Sequence, residues 1–241
     1  GETLKVKYMP QYVTGRCEYK FKDGNPVTWS PRFTWFVFSE AEITGVPQLE
    51  ASQVEAEVVN SNVARNSVFE CSNPLFENIN EIYIQSLLDN MHSGVATDCP
   101  HRERAPYTGD GQLSMSTAIC NVDASAFYNK WITDIRNSRN PDTGYVPNGS
   151  PWEPICGGGP AWGAAICVMP TEFYLRYGDR SMLSDNLQAM KDFTNFFARW
   201  MRNDGTCLVQ MGRPGSDEPF RWLNLGDWAP AYDLPDDALV H

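Results

Sequence analysis

The hydrophobic rhythm of the chain changes once, near residue 60. Ahead of that point it runs with period two. Leu4-Lys5-Val6-Lys7-Tyr8 alternates apolar and polar, Arg32-Phe33-Thr34-Trp35-Phe36-Val37-Phe38 is β-branched and aromatic, and Val54-Glu55-Ala56-Glu57-Val58 alternates again. All three predict strands. Asp23-Gly24-Asn25-Pro26 and Gly45-Val46-Pro47 supply turn chemistry between them. Residues 1–59 thus predict the C-terminal part of an antiparallel β-sandwich, followed by a polar, irregular linker over 60–72. From Asn73 the period becomes helical. Pro74 suits a first helical position after a Ser72/Asn73 cap, and Leu75, Ile79, Ile82, Tyr83 and Leu87 recur three and four apart. Further helices are predicted over 111–121, 123–138, 162–177 and 181–202, separated by loops rich in Gly and Pro at 94–110, 140–161 and 204–235. The fold class is mainly α, and helices joined by long loops suit a helical barrel with a loop-built active face.

Composition narrows the function classes. With 42% hydrophobic and 20% charged residues the chain can bury a sizeable core. It contains no apolar run of about 18 residues, so no membrane-spanning helix is expected. It starts at Gly1 without a Met, which leads us to expect a fragment. The net charge of -11, from 19 basic and 30 acidic residues, argues against a nucleic-acid partner, which needs a Lys/Arg stripe. The 8 Trp, 10 Tyr and 12 Phe offer faces on which sugar rings stack, although most should be core material. The 7 cysteines are widely spaced without a zinc-ligand pattern; they read as mostly buried free thiols, and no metal or cofactor is expected. The compartment stays open between cytoplasm and exterior, with a periplasmic or extracellular setting favoured.

The chemistry concentrates in Thr97-Asp98-Cys99-Pro100-His101-Arg102-Glu103-Arg104-Ala105-Pro106-Tyr107-Thr108-Gly109-Asp110-Gly111. Pro100, Pro106 and Gly109 speak against a continuous helix, so this reads as a structured loop. A loop can aim Asp98, Glu103 and Asp110 into one cavity, where clustered carboxylates raise one another's pKa. A carboxyl group kept protonated is what a glycosidase needs to protonate a leaving oxygen. The same residues would also make an ion-paired loop, with Arg102 and Arg104 holding carboxylates and Asp110 capping the next helix. Two further stretches stand out. Gly157-Gly158-Gly159-Pro160-Ala161-Trp162-Gly163 permits close backbone approach to a ligand or forms a simple turn; it lacks phosphate-loop spacing. Leu225-Gly226-Asp227-Trp228-Ala229-Pro230 offers a stacking face beside a hydroxyl acceptor, or a core Trp beside a helix cap.

Together these stretches resemble the bacterial α-L-rhamnosidases of glycoside hydrolase family 78, in the six-hairpin glycosidase superfamily. The resemblance rests on Asp98-Cys99-Pro100-His101-Arg102-Glu103-Arg104 continuing to Gly109-Asp110. It is supported by Phe69-Glu70-Cys71-Ser72-Asn73-Pro74-Leu75, Trp162-Gly163, Arg176-Tyr177-Gly178-Asp179 and Gly226-Asp227-Trp228. It implies an (α/α)6 barrel, of which 73–241 would be the first half, preceded by β-sandwich domains. It also implies an inverting exo-glycosidase that releases a terminal α-L-rhamnose-like sugar from plant or bacterial glycans. Glu103 would be the general acid, with the general base beyond His241. Asp98, Arg102, Tyr107, Asp110, Trp162, Asp227 and Trp228 would bind the sugar. The chain departs from the family pattern at Pro106-Tyr107, where a Gly-Trp is usual, and at Ala164, where a carboxylate is frequent. Two other readings remain: a six-hairpin enzyme acting on unsaturated uronic acids, for which Arg102 and Arg104 would serve, and a catalytically inactive carbohydrate-binding relative. The oligomeric state is left open.

Overall fold

The computed structural model describes residues 2–9, 15–151, 159–199, 201 and 203–205, together with the backbone of two short paired strands at 211–212 and 219–220. The chain divides into two compact units. One comprises residues 1–60 and the excursion Cys99–Arg104; the other comprises Ser61–Asp98 and residues from Ala105 onward.

In the β unit, β1 (Thr3–Met9) lies between β2 (Gly15–Lys20) and β3 (Glu40–Thr44), antiparallel to both. The register pairs Leu4 with Tyr19, and Val6 with both Cys17 and Ile43. Cross-strand partners share a face, so Leu4, Val6, Tyr8, Cys17, Tyr19 and Ile43 form one apolar side. Because β2 and β3 flank β1, the chain between Lys20 and Glu40 must cross the sheet, and its aromatic residues cover that side. Phe36 stacks on Tyr8 with centroids 4.3 Å apart, Phe38 lies 4.9 Å from Tyr8, and Trp29 lies 5.5 Å from Tyr19. The turn after β3 uses Gly45 at φ +88°, where a Cβ would collide with the Thr3 carbonyl.

Two expected strands are corrected. Residues 32–38 make no ladder, because this aromatic run is the crossing segment and contributes rings rather than backbone pairing. Residues 54–58 are irregular and follow a single 3₁₀ turn, Ala51–Gln53, and Val54 and Val58 are exposed.

The helical unit opens with α1 (Pro74–Asn90), where the Asn73 side chain accepts the Leu75 N–H and Pro74 occupies the first position. A two-residue hairpin follows, β4 (Met91–His92) and β5 (Val95–Ala96), turning through Ser93 and Gly94 at positive φ. Then come α2 (Thr108–Asn121), α3 (Ser125–Ser138), α4 (Pro160–Gly163), α5 (Ala165–Tyr177) and α6 (Arg180–Ala198). Their common core includes Met115, Tyr128, Trp131, Ile132, Ile135, Ile166 and Met169, all fully buried. No helix among the described residues is long and apolar enough to cross a membrane.

The structure also moves two helix-level expectations. On α1 it is Ile84 and Leu87 that are buried, whereas Leu75, Ile79 and Ile82 of the predicted stripe are exposed. And α2 starts at Thr108 rather than 111, so Gly109 is a buried residue of its first turn and not of the loop. The described cysteines, Cys17, Cys71, Cys99, Cys120 and Cys167, form no disulfide with one another, and none falls in the buried class; Cys71 and Cys120 are exposed.

Candidate functional site

The motif-bearing loop starts from a fixed base. Thr97, buried at the end of the β5 turn, donates its N–H to the Asn90 carbonyl and its hydroxyl to the Asn90 side chain, both at 2.9 Å. Asp98 and Ala105 then close a neck. The Asp98 N–H donates to the Ala105 carbonyl at 3.1 Å, and the Ala105 N–H donates to Asp98 Oδ1 at 2.9 Å. Both neck residues belong to the helical unit, while the six residues between them belong to the β unit.

Within that excursion the Glu103 N–H reaches Cys99 Sγ at 3.3 Å, and Arg102 Nη2 donates to Glu103 Oε1 at 2.6 Å. The Arg102 and Glu103 side chains are 57% and 40% exposed, so the pair is a surface ion pair worth about 0–1 kcal/mol and no staple of the fold. Arg104 behaves differently. It holds no carboxylate in the described contacts. Its Nη1 donates to the Trp35 carbonyl at 2.8 Å, and its guanidinium carbon lies 5.3 Å from the Trp35 ring centroid and 6.0 Å from that of Phe36. Arg104 also adopts φ +53°. That left-handed conformation costs a residue with a Cβ about 1–2 kcal/mol, so surrounding contacts must hold it.

In the helical unit, three predicted sugar-contacting residues meet at the start of α2. Tyr107 is the N-cap residue, and its backbone bridges to Gly149. Asp110 lies in the first turn, exposed, where a negative charge suits the helix N-terminus. It therefore does not cap α2, as the ion-paired-loop reading would have it. The Trp162 indole covers this turn so closely that a Cβ on Gly109 would lie 2.6 Å from its ring. Glu103 and Arg102 lie in the excursion, Asp98 at its neck, and Asp227 and Trp228 fall outside the described residues.

Two buried polar residues that sequence reasoning passed over fix this corner. The Asn148 carbonyl accepts from the Thr108 N–H at 2.7 Å and from the Thr108 hydroxyl at 2.9 Å, and Asn148 Oδ1 accepts the Gly159 N–H at 2.9 Å. The Thr108 hydroxyl also reaches the Trp162 carbonyl at 2.8 Å. Both side chains are fully buried. In the sequence Asn148 sits in Asn-Gly-Ser, a turn signal, and nothing there marks it as buried.

Comparison with known proteins gives the chain's family. Residues 64–239 match the model of the bacterial α-L-rhamnosidase six-hairpin glycosidase domain. An α-L-rhamnosidase of Formosa agariphila is 30% identical over 229 residues, covering 88% of this chain and 22% of that protein. One from Streptomyces avermitilis is 28% identical over 214 residues, covering 88% of this chain and 20% of its own length. The solved α-L-rhamnosidase from Dictyoglumus thermophilum superposes with a TM-score of 0.67 at 28% identity, over 83% of this chain and 24% of that one. The Streptomyces avermitilis enzyme complexed with L-rhamnose superposes with a TM-score of 0.75 over 95% of this chain and 22% of that one; at 24% identity this likeness concerns the fold. The chain belongs to the bacterial α-L-rhamnosidase six-hairpin glycosidase family. It spans about a fifth of the length of the curated relatives it matches.

Proposed function

We propose that the protein is an inverting exo-glycosidase of the α-L-rhamnosidase type, with Glu103 as general acid. The observation that carries this reading is the Asp98 to Asp110 segment: a carboxylate on an exposed, internally braced excursion, within a chain of this family. Protonation of a leaving oxygen needs a carboxyl group that substrate can reach. Glu103 is reachable, and Arg102 is close enough to stabilise its charge once the proton has left. Asp98, Arg102, Tyr107, Asp110, Trp162, Asp227 and Trp228 are proposed as sugar-binding residues, as the family resemblance implies. The base, a second carboxylate about 6.5–9.5 Å from the acid with a water between, is expected outside these 241 residues. On this reading 73–241 is the first half of an (α/α)6 barrel, 1–59 the end of a β-sandwich and 60–72 the connection between them.

The reading of a uronic-acid enzyme needs cationic side chains for a sugar carboxylate. Arg104 is committed to Trp35, and Arg102 to Glu103, which weighs against it.

The test is Glu103→Gln in the full-length protein. Gln keeps the size and a hydrogen bond to the glycosidic oxygen but delivers no proton. We expect kcat to fall about 10²–10⁴-fold on sugar–sugar linkages, and less on nitrophenyl glycosides, whose leaving group departs without protonation. KM should hardly move. Equal losses on both substrate types, with a lowered Tm, would make Glu103 a structural residue.

A further inference from the structure

We infer that Arg104 is a positioning residue for Glu103, and that Trp35 and Phe36 of the β unit are its seat. The inference rests on the general-acid reading of Glu103 and adds what holds that acid in place. Among the described residues the Glu103 side chain is held by the exposed Arg102 alone, so its direction must come from the backbone that carries it. The next residue supplies it. Arg104 is held left-handed, and a backbone turned at one residue fixes the heading of its neighbour. What keeps Arg104 there is distant in sequence. Its guanidinium donates to the Trp35 carbonyl and lies against the Trp35 and Phe36 rings, and Phe36 is itself stacked on Tyr8 of β1. A continuous chain of contacts thus runs from the central strand of the sheet to the residue beside the acid, all within the β unit. The guanidinium makes both contacts at once, a hydrogen bond to the Trp35 carbonyl and proximity to two aromatic rings, which a lysine ammonium does not reproduce as well. The irregular run 32–38 acquires a purpose: Trp35 and Phe36 present a carbonyl and two rings because they are not consumed in a ladder.

The experiment uses the full-length protein. Arg104→Met, Arg104→Lys and Trp35→Leu are compared with Glu103→Gln, and with Gly45→Ala, which strains the β unit at a site away from these contacts. A reacting group displaced by about 1 Å loses up to about 100-fold in rate. We expect kcat to fall about 10- to 100-fold in Arg104→Met and Trp35→Leu, with KM within about threefold. The loss should be larger for sugar leaving groups than for nitrophenolate. Arg104→Lys should rescue little. The double variant Arg104→Met/Trp35→Leu should be no worse than Arg104→Met alone, because Arg104→Met already removes the ring contact that Trp35→Leu removes. Wild-type kcat in Arg104→Met, a loss confined to KM, or a loss equal for both leaving groups and matched by Gly45→Ala at the same Tm would each overturn the inference. If Glu103→Gln loses activity on sugar linkages as expected while Arg104→Met keeps wild-type kcat on them, the positioning role alone falls. If Glu103→Gln is active on them, the acid reading falls and takes this one with it.

Discussion

At Gly111 the Trp131 ring lies where a Cβ would stand, and Trp131 is fully buried with its Nε1 donating to the Ser150 carbonyl at 2.8 Å. Two effects of Gly111→Ala oppose each other. Helix propensity favours Ala by up to about 1 kcal/mol. The overlap with a ring that has no free space costs about 1–3 kcal/mol, and that term should win. Urea unfolding of the variant should show a lower midpoint; a raised one would mean that Trp131 does not pack on α2 this way. Tyr128, also fully buried, gives a prediction in pH. Burial pushes its phenol well above the ordinary tyrosine value, with Tyr83 adding to the shift and Ser114 offsetting part of it. A group whose folded pKa is raised contributes stability that is present below the unfolded value, about 10, and lost as pH rises beyond it. Tyr128→Phe should move alkaline unfolding to higher pH, followed by circular dichroism between pH 9 and 12; an unchanged midpoint would place the cause in another group.

At the scale of elements, α1 shows what a pattern carries and what it does not. Asn73-Pro74 is a local signal, and the cap it predicts forms, with the Asn73 side chain on the Leu75 N–H. Asn73→Ala should therefore cost about 1 kcal/mol, seen as a reduced Tm, whereas Ser72→Ala should cost almost nothing. The apolar stripe on the same helix was legible as a stripe, but periodicity does not say what lies against it, and Leu75, Phe76, Ile79 and Ile82 stay exposed among the described residues. The aromatic run 32–38 misleads in a second way. Its composition fits a strand, and only the order β2-β1-β3 makes it a crossing segment, which is long-range information. The start of α2 was missed because Gly109 reads as a breaker; its reason for being Gly is the Trp162 ring, 53 residues away in the chain. The candidate site divides along the same line. Asp98, Glu103 and Asp110 are close in sequence and readable there, while Asn148, Thr108 and the Trp35–Arg104 contact depend on tertiary partners.

For the whole molecule, the balance of catalytic parts decides the expected behaviour of these 241 residues on their own. A general acid without its base supplies only about 10²–10⁴-fold, far short of an enzyme's usual acceleration of about 10⁶ or more. We expect the isolated chain to release no detectable nitrophenol from an α-L-rhamnoside. Turnover by it, abolished by Glu103→Gln, would mean that the base is already among its carboxylates.

The excursion Cys99–Arg104 also bears on how the molecule is made. The ribosome delivers β1–β3 and their aromatic cover by Asn60, yet the last piece of that unit emerges only after α1 and the β4–β5 hairpin. At about 5–20 residues per second the wait is on the order of seconds, long compared with the microseconds in which a hairpin forms. During synthesis the Trp35 and Phe36 rings stand without the guanidinium that later lies 5.3 and 6.0 Å from their centroids. The β unit thus begins ahead of the helical unit in translation order but is completed only after the first elements of that unit have emerged, and the residue that completes it is the one directly after the proposed acid.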